Sequence, residues 1–206
     1  MRIRVYFSKT EAMRFTGHLD LHRTWERTLR RARLPLAYSQ GFHPQPRINL
    51  AAALPLGFTS QAEVADFWLE TDLPLAGIIS ALENALPPGL LLDHIEEIDP
   101  KAPSLQTQVR SSEYIITLLE PIMELDERLA KFMNSRNLPR ERRGKIYDLR
   151  PLVEELDRLP DGEFKQPRLH MQLSTRPGET GRPEEVLDAL GIPFADTLIR
   201  RVKIIF

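Results

Sequence analysis

The sequence predicts an α+β protein built as two tandem domains, on three observations. Strand-like and helix-like periodicities alternate from the first residues onward. The alternation partly recurs in the second half of the chain. A Pro-bearing stretch, Asp99-Pro-Lys-Ala-Pro-Ser-Leu-Gln-Thr-Gln108, separates the two runs. At 206 residues the chain is long for one small domain and sufficient for two.

Taken in order, Ile3, Val5 and Phe7 share one face of a strand over 2–7. Leu21, Trp25, Thr28, Leu29 and Ala32 recur at steps of three and four, which predicts an amphipathic helix over 19–32. Thr16 or His18 can cap its start, and Leu34-Pro35 ends it, because the residue before proline avoids helical geometry. Residues 35–46 form a loop rich in Pro and Gly, with a short strand at 36–39. Strands follow at 47–53 and 62–70, separated by the turn LPLGFTS. Ile78, Ile79, Leu82 and Leu86 mark a helix over 75–86, stopped by Pro87-Pro88-Gly89, and a strand runs over 90–98. The order β-α-β-β-α-β is the split βαβ or ferredoxin-like arrangement, a topological name that implies no cluster.

The first domain is thus expected over 1–100, a linker over 101–108 and a second α+β domain over 109–206. In the second, strands are expected at 112–119, 168–174 and 197–206 and a helix at 123–133. A charged strand or loop falls at 140–145, and Asp148 with Pro151 opens a short helix over 149–159. Pro183 in the first turn and Gly191 just past the end bracket a helix over 183–190. The pattern makes this domain a variation on the first.

Composition removes several functions. Hydrophobic residues make up 42% and charged residues 28%, which is ordinary for a globular protein. There is no cysteine, so disulfides, a thiol nucleophile and Cys ligation of zinc or an iron–sulfur cluster are excluded. No window approaches the eighteen or so apolar residues of a membrane span, and the start MRIRVYFSKTEAMRF has no signal-peptide core. A cytosolic location, no membrane association and no cofactor are therefore expected.

The charge is uneven. Residues 1–60 carry ten Arg/Lys against three acids, a net +7, whereas 61–100 carry nine acids and no Arg or Lys. Two readings stand side by side: the first segment meets a polyanion or an acidic partner, or the second neutralises it within one fold.

The densest stretch runs from Arg14 to Gly57. It contains Phe15-Thr16-Gly17-His18-Leu19-Asp20, Arg30-Arg31-Ala32, Leu34-Pro35-Leu36 and Tyr38-Ser39-Gln40-Gly41-Phe42-His43-Pro44, followed by Arg47-Ile48, Leu54-Pro55-Leu56-Gly57 and Ser60-x-x-Glu63. Asp148-Leu149-Arg150-Pro151 and Arg182-Pro183-Glu184-Glu185-Val186-Leu187 add to it. In these motifs the chain resembles the bacterial radical-SAM-linked proteins, a family of uncharacterised function. It departs at Thr16-Gly17, where that family more often has Ser directly before His-Leu-Asp. The resemblance implies association with a radical-SAM protein as partner and no residue-level mechanism.

The residues themselves suggest three chemistries. His18 and His22 are four apart and, with Asp20 or His43, could hold a metal. The spacing lacks the acid of His-Glu-x-x-His, so no metal is expected. His18 could act as general acid or base beside a phosphate held by Arg14, Arg23 and Arg47, as in the tandem ferredoxin-like CRISPR-processing endonucleases. Those enzymes usually need a late glycine-rich loop, and Arg176-Pro-Gly-Glu-Thr-Gly-Arg182 carries an acid.

The third chemistry is RNA binding. Tyr38, Ser39, Gly41, Phe42, His43 and Arg47 mix aromatic and cationic groups as single-strand binders do. Phe42 and Pro44 are expected to serve the core or stiffen the loop, and His43 and Arg47 to meet ligand. Arg23, Arg27, Arg30 and Arg31 with His43 and Arg47 are expected to line one positive groove. Six basic residues between Arg136 and Arg150 could extend it. The favoured function is an accessory module that presents substrate or binds RNA for a radical-SAM enzyme. The alternatives are a metal-independent RNA endonuclease and a structural adaptor, the last requiring an exposed apolar patch.

Overall fold

A computed structural model describes residues 1–142 and 144–206. The chain is mixed α+β and divides into two compact units, Met1–Val109 and Arg110–Phe206.

In the first unit the elements are β1 (Arg2–Lys9), α1 (His18–Arg31), β2 (Ile48–Leu50), β3 (Phe58–Trp68), α2 (Leu75–Glu83), β4 (Leu90–Ile98) and the short α3 (Leu105–Gln108). The strands pair antiparallel in the order β2-β3-β1-β4. Ile3, Val5 and Phe7 point to one face, where Leu21, Trp25 and Leu29 of α1 and Ile78 and Leu82 of α2 close the core. The alternation that marked β1 in the sequence is this division between a helix-covered face and its opposite.

The opposite face holds a buried ionic group. Arg2 and Arg4, of the basic segment, both bond Asp66, of the acidic one. Arg4 Nε donates to Asp66 Oδ1 at 2.8 Å, and this bond raises the guanidinium further above its ordinary value. Arg2 also donates to the carbonyls of Ala102 and Pro103, at 2.6 and 2.9 Å. Asn49 donates to Ser104, and Leu105 is buried. The segment expected as a linker is therefore fastened onto the first unit, by contacts from residues fifty to a hundred positions away.

The helix ends differ from expectation. Gly17 takes the N-cap position of α1 without a side-chain cap, and His18 is already helical. At the other end Arg33 adopts a left-handed backbone (φ 56°), with Leu34 N–H bonding Leu29 and Arg33 N–H bonding Arg30. This doubly bonded turn stops the helix before Leu34-Pro35 is reached.

The second unit contains β5 (Ser111–Leu118), α4 (Leu125–Asn134), β6 (Pro139–Arg142), β7 (Lys145–Asp148), β8 (Val153–Leu159), β9 (Arg168–Arg176), β10 (Glu179–Thr180), α5 (Pro183–Leu190) and β11 (Thr197–Ile205). Its sheet runs β8-β9-β5-β11, antiparallel throughout, with β10 beside β9. Strand for strand this is the pairing order of the first unit, with the ribbon β6–β7 inserted.

The helix expected over 149–159 is instead a 3₁₀ turn, Arg150–Leu152, and the strand β8. The error has a physical cause. A bulge between Val153 and Glu155 sets two residues against one of β9, so Val153 faces Leu173 and Leu156 faces Met171. A bulged strand thereby shows the spacing of three that otherwise signals a helix. The helix at Pro183–Leu190 has the expected proline in its first turn and Gly191 at φ 68° behind it.

Glu184, in that first turn, has a buried Oε2 with no hydrogen-bond partner among the described residues. Burial pushes its carboxyl above the ordinary range, outweighing its own backbone amide and the nearby Arg182. A carboxyl raised in the folded state binds protons more tightly there than in the unfolded chain. Stability is then lost as pH rises through the interval above the unfolded value. Glu184→Gln is expected to raise the thermal midpoint at pH 7–8 and to match wild type near pH 4. A variant midpoint below wild type at the higher pH would remove this account.

Candidate nucleic-acid interface

Helix α1 is strongly two-sided. Leu21, Trp25, Thr28 and Leu29 are buried, and Trp25 sits between Phe7 and Phe67 at ring-centre distances of 4.8 and 5.1 Å. Burying that stripe leaves Arg23, Arg27 and Arg30 exposed on the other side. Arg23 lies 3.5 Å from Asp20 and Arg30 lies 2.8 Å from Glu26, both at the surface. Such exposed pairs are worth little and are exchangeable for a ligand phosphate. Arg27 has no acid within 4.0 Å among the described residues.

The loop after α1 is a narrow two-armed projection. Ala37 N–H bonds the Trp68 carbonyl at 2.7 Å, Arg47 N–H bonds Ala37 at 2.9 Å, and Ser39 N–H bonds Gln45 at 2.8 Å. Isolated bridges pair Leu36 with Leu69 and Tyr38 with Pro46. The tip, residues 40–44, is exposed throughout, and Gly41 turns it at φ 136°. Phe42 is 102% exposed, and Pro44 is exposed with it, so neither serves the core. The arms bond each other and the end of β3, which leaves the tip nothing to pack against.

The base of the projection is held on both flanks. Arg30 donates to the Tyr38 hydroxyl from Nε and Nη2, at 3.2 and 3.0 Å, and these bonds raise its guanidinium above the ordinary value. The Arg47 guanidinium lies 4.7 Å from the Trp68 ring centre and that of Arg2 lies 4.9 Å from it. Trp68 is thus half-buried beneath two cations.

The expected groove is assembled in part. Arg23, Arg27 and Arg30 run in a line to Tyr38, and Arg47 and His43 belong to the projection. Arg31 departs: its guanidinium bonds the Ala85 carbonyl beyond α2, a full helical step around from Arg30. Arg14 also departs, donating to the Gly57 carbonyl at 2.8 Å.

Gly57 precedes β3 and Trp68 ends it, and eleven extended residues span roughly 30 Å. Arg14 and Arg47 therefore cannot hold one phosphate beside His18. His18 and Asp20 stand where α1 begins, about 20 Å from its Arg30 end. Around that beginning three large apolar side chains are exposed: Phe15, Leu19 and Leu56.

The second basic run is mostly committed to structure. Arg142 pairs with Glu185, Arg140 lies 3.8 Å from Asp188, and Arg150 donates to the Met133 and Val153 carbonyls. Arg143 lies outside the described residues. Glu155, Asp157 and His170 bring possible ligand atoms within 4.8 Å of one another on β8 and β9. The grouping depends on the pairing of β8 with β9, which a helical periodicity over 149–159 does not reveal.

The fold has a counterpart at TM-score 0.53 in a crystal structure of a Cbf5-Nop10-Gar1 complex, at 10% identity over 98% of this chain. This chain spans 48% of that one, and the likeness is one of fold alone. A crystal structure of an unknown protein from Galdieria sulphuraria aligns over 98% of both chains at 15% identity, with a TM-score of 0.31, too low to bear on the fold. No curated protein matches the chain. No helix among the described residues is long and apolar enough to cross a membrane. Residues 2–183 match the family described as an uncharacterized protein conserved in bacteria (DUF2344), and the chain belongs to that family.

Proposed function

We propose that this chain is a non-catalytic accessory protein that holds single-stranded RNA for a radical-SAM enzyme, and that both of its units are ferredoxin-like. The sequence resemblance supports the enzyme partner, and the order β2-β3-β1-β4, repeated as β8-β9-β5-β11, supports the fold reading. One observation carries the RNA reading: an exposed phenyl ring on a braced projection whose base carries Arg30, Tyr38 and Arg47. A ring held out from the fold offers a face to an unpaired base, while the line of arginines follows the phosphates.

Titration of labelled single-stranded RNA at several salt concentrations tests this. The logarithm of affinity should fall with the logarithm of salt by about 0.7 per phosphate contact. The Arg23→Ala, Arg27→Ala double variant should flatten that slope, and Arg31→Ala should leave it nearly unchanged. Phe42→Ala should weaken binding by about tenfold with the slope retained. Absence of binding at low salt removes RNA as the ligand.

A second reading has its own observation. Phe15, Leu19 and Leu56 give the structural adaptor the exposed apolar surface it requires. Under this reading Leu19→Asp abolishes co-purification of a radical-SAM protein and leaves RNA titrations unchanged.

A further inference from the structure

The second unit contains a cleft of about 670 Å³ between the β6–β7 ribbon and the β9–β10 turn. We propose that it binds a nucleoside monophosphate, at a site independent of the α1 surface. The volume falls within the range of small-molecule sites.

The lining combines the three chemistries that ligand requires. Pro151, Leu152 and the Tyr147 side chain supply apolar and aromatic surface for a ring. Lys145 and Arg182 supply two exposed cations. Neither has a carboxylate within 4.0 Å among the described residues, although Arg182 also acts at longer range on Glu184, and an arriving phosphate can pair with both. Asp148 supplies a fixed acceptor. Its Oδ1 takes the Leu138 and Arg150 amides at 2.7 and 3.0 Å, which among the described residues leaves Oδ2 for a sugar hydroxyl or a base amine. Glu179 also lines the cleft, but lies 4.0 Å from Arg176 at its rim.

The walls are preassembled. Arg142 reaches across from the ribbon to Glu185 at 2.8 Å and to the Thr180 carbonyl at 3.2 Å, and it donates to the Tyr147 hydroxyl at 3.3 Å. The guanidinium lies 4.8 Å from the Tyr147 ring centre. Gly181 packs so closely that a Cβ there would lie 2.9 Å from the Leu152 carbonyl. Walls held in this way lose little entropy on binding, and the ordering is confined to Lys145 and Arg182.

A free nucleotide and the 5′-terminal nucleotide of an RNA present the same chemistry, and calorimetric titration of the full chain distinguishes them. The probes are AMP, GMP, CMP and UMP, adenosine, and a hexaribonucleotide with and without a 5′-phosphate. Saturable binding of a monophosphate with none of adenosine supports a free nucleotide. Tighter binding of the phosphorylated than of the unphosphorylated hexamer supports an RNA end. In either case Lys145→Ala and Arg182→Ala should each weaken binding about tenfold, with the thermal midpoint retained because both side chains are exposed. Binding of the responding probe unchanged in the double variant, or no binding of any monophosphate below about 5 mM together with equal binding of the two hexamers, overturns the proposal.

Discussion

Replacing Asp66 with Ala is expected to destabilise the protein by about 3–5 kcal/mol, the cost of removing one partner from a buried ionic group. The carboxylate is fully buried, and Arg2, 1% exposed, and Arg4, 9% exposed, converge on it. Two guanidiniums then share a low-dielectric site without the charge that offsets them. Domains of this size hold only about 5–15 kcal/mol in total, so the loss takes a large part of the margin. The effect should spread to the segment over 99–109, because Arg2 is held in reach of the Ala102 and Pro103 carbonyls by the same carboxylate. Urea unfolding measures the first effect and proteolysis within residues 99–109 the second. A change under 1 kcal/mol would mean that water or rearranged carbonyls replace Asp66 at little cost.

Trp25→Ala is expected to cost about 3–5 kcal/mol and to weaken RNA binding as well. The indole is fully buried in the middle of α1, with Phe7 edge-on and Phe67 tilted against it. Its removal leaves a cavity that two strands and a helix cannot collapse around. The exposed arginines are placed by this same packing, so their line loses its fixed geometry. Trp25→Phe separates the two effects. It retains an aromatic ring and removes a buried indole N–H that has no acceptor among the described residues. That variant should keep most of the stability and RNA affinity, measured by urea unfolding and salt-dependent titration. Full RNA affinity in a folded Trp25→Ala protein would contradict the dependence of the surface on the core.

Local features were legible in the sequence because local physics decides them. The alternation of Ile3, Val5 and Phe7, the stripe of Leu21, Trp25 and Leu29, and Pro183 with Gly191 each state their own element. What failed depends on partners distant in the chain. Residues 101–108 read as a linker because their anchors, Arg2 and Asn49, lie elsewhere. Residues 153–159 read as a helix because the bulge is defined only against β9. Among the site residues, Arg23, Arg27 and Arg30 followed from helical geometry. Arg31 and Arg14 did not, since carbonyls at Ala85 and Gly57 claim them. An inward Phe42 follows only from the general habits of phenylalanine, which say nothing about whether a loop offers it a pocket.

The position of β4 has a consequence for solubility. In the first unit this nine-residue strand bonds β1 on one side, and no strand pairs with its other edge among the described residues. An open edge of that length invites strands from other molecules. Asp93, Glu96 and Glu97 stand along it, and a second copy added edge to edge would bring like charges together as its backbone bonds formed. Part of the acidity of residues 61–100 is thus placed where it would oppose the recruitment of a second copy by an exposed β-strand.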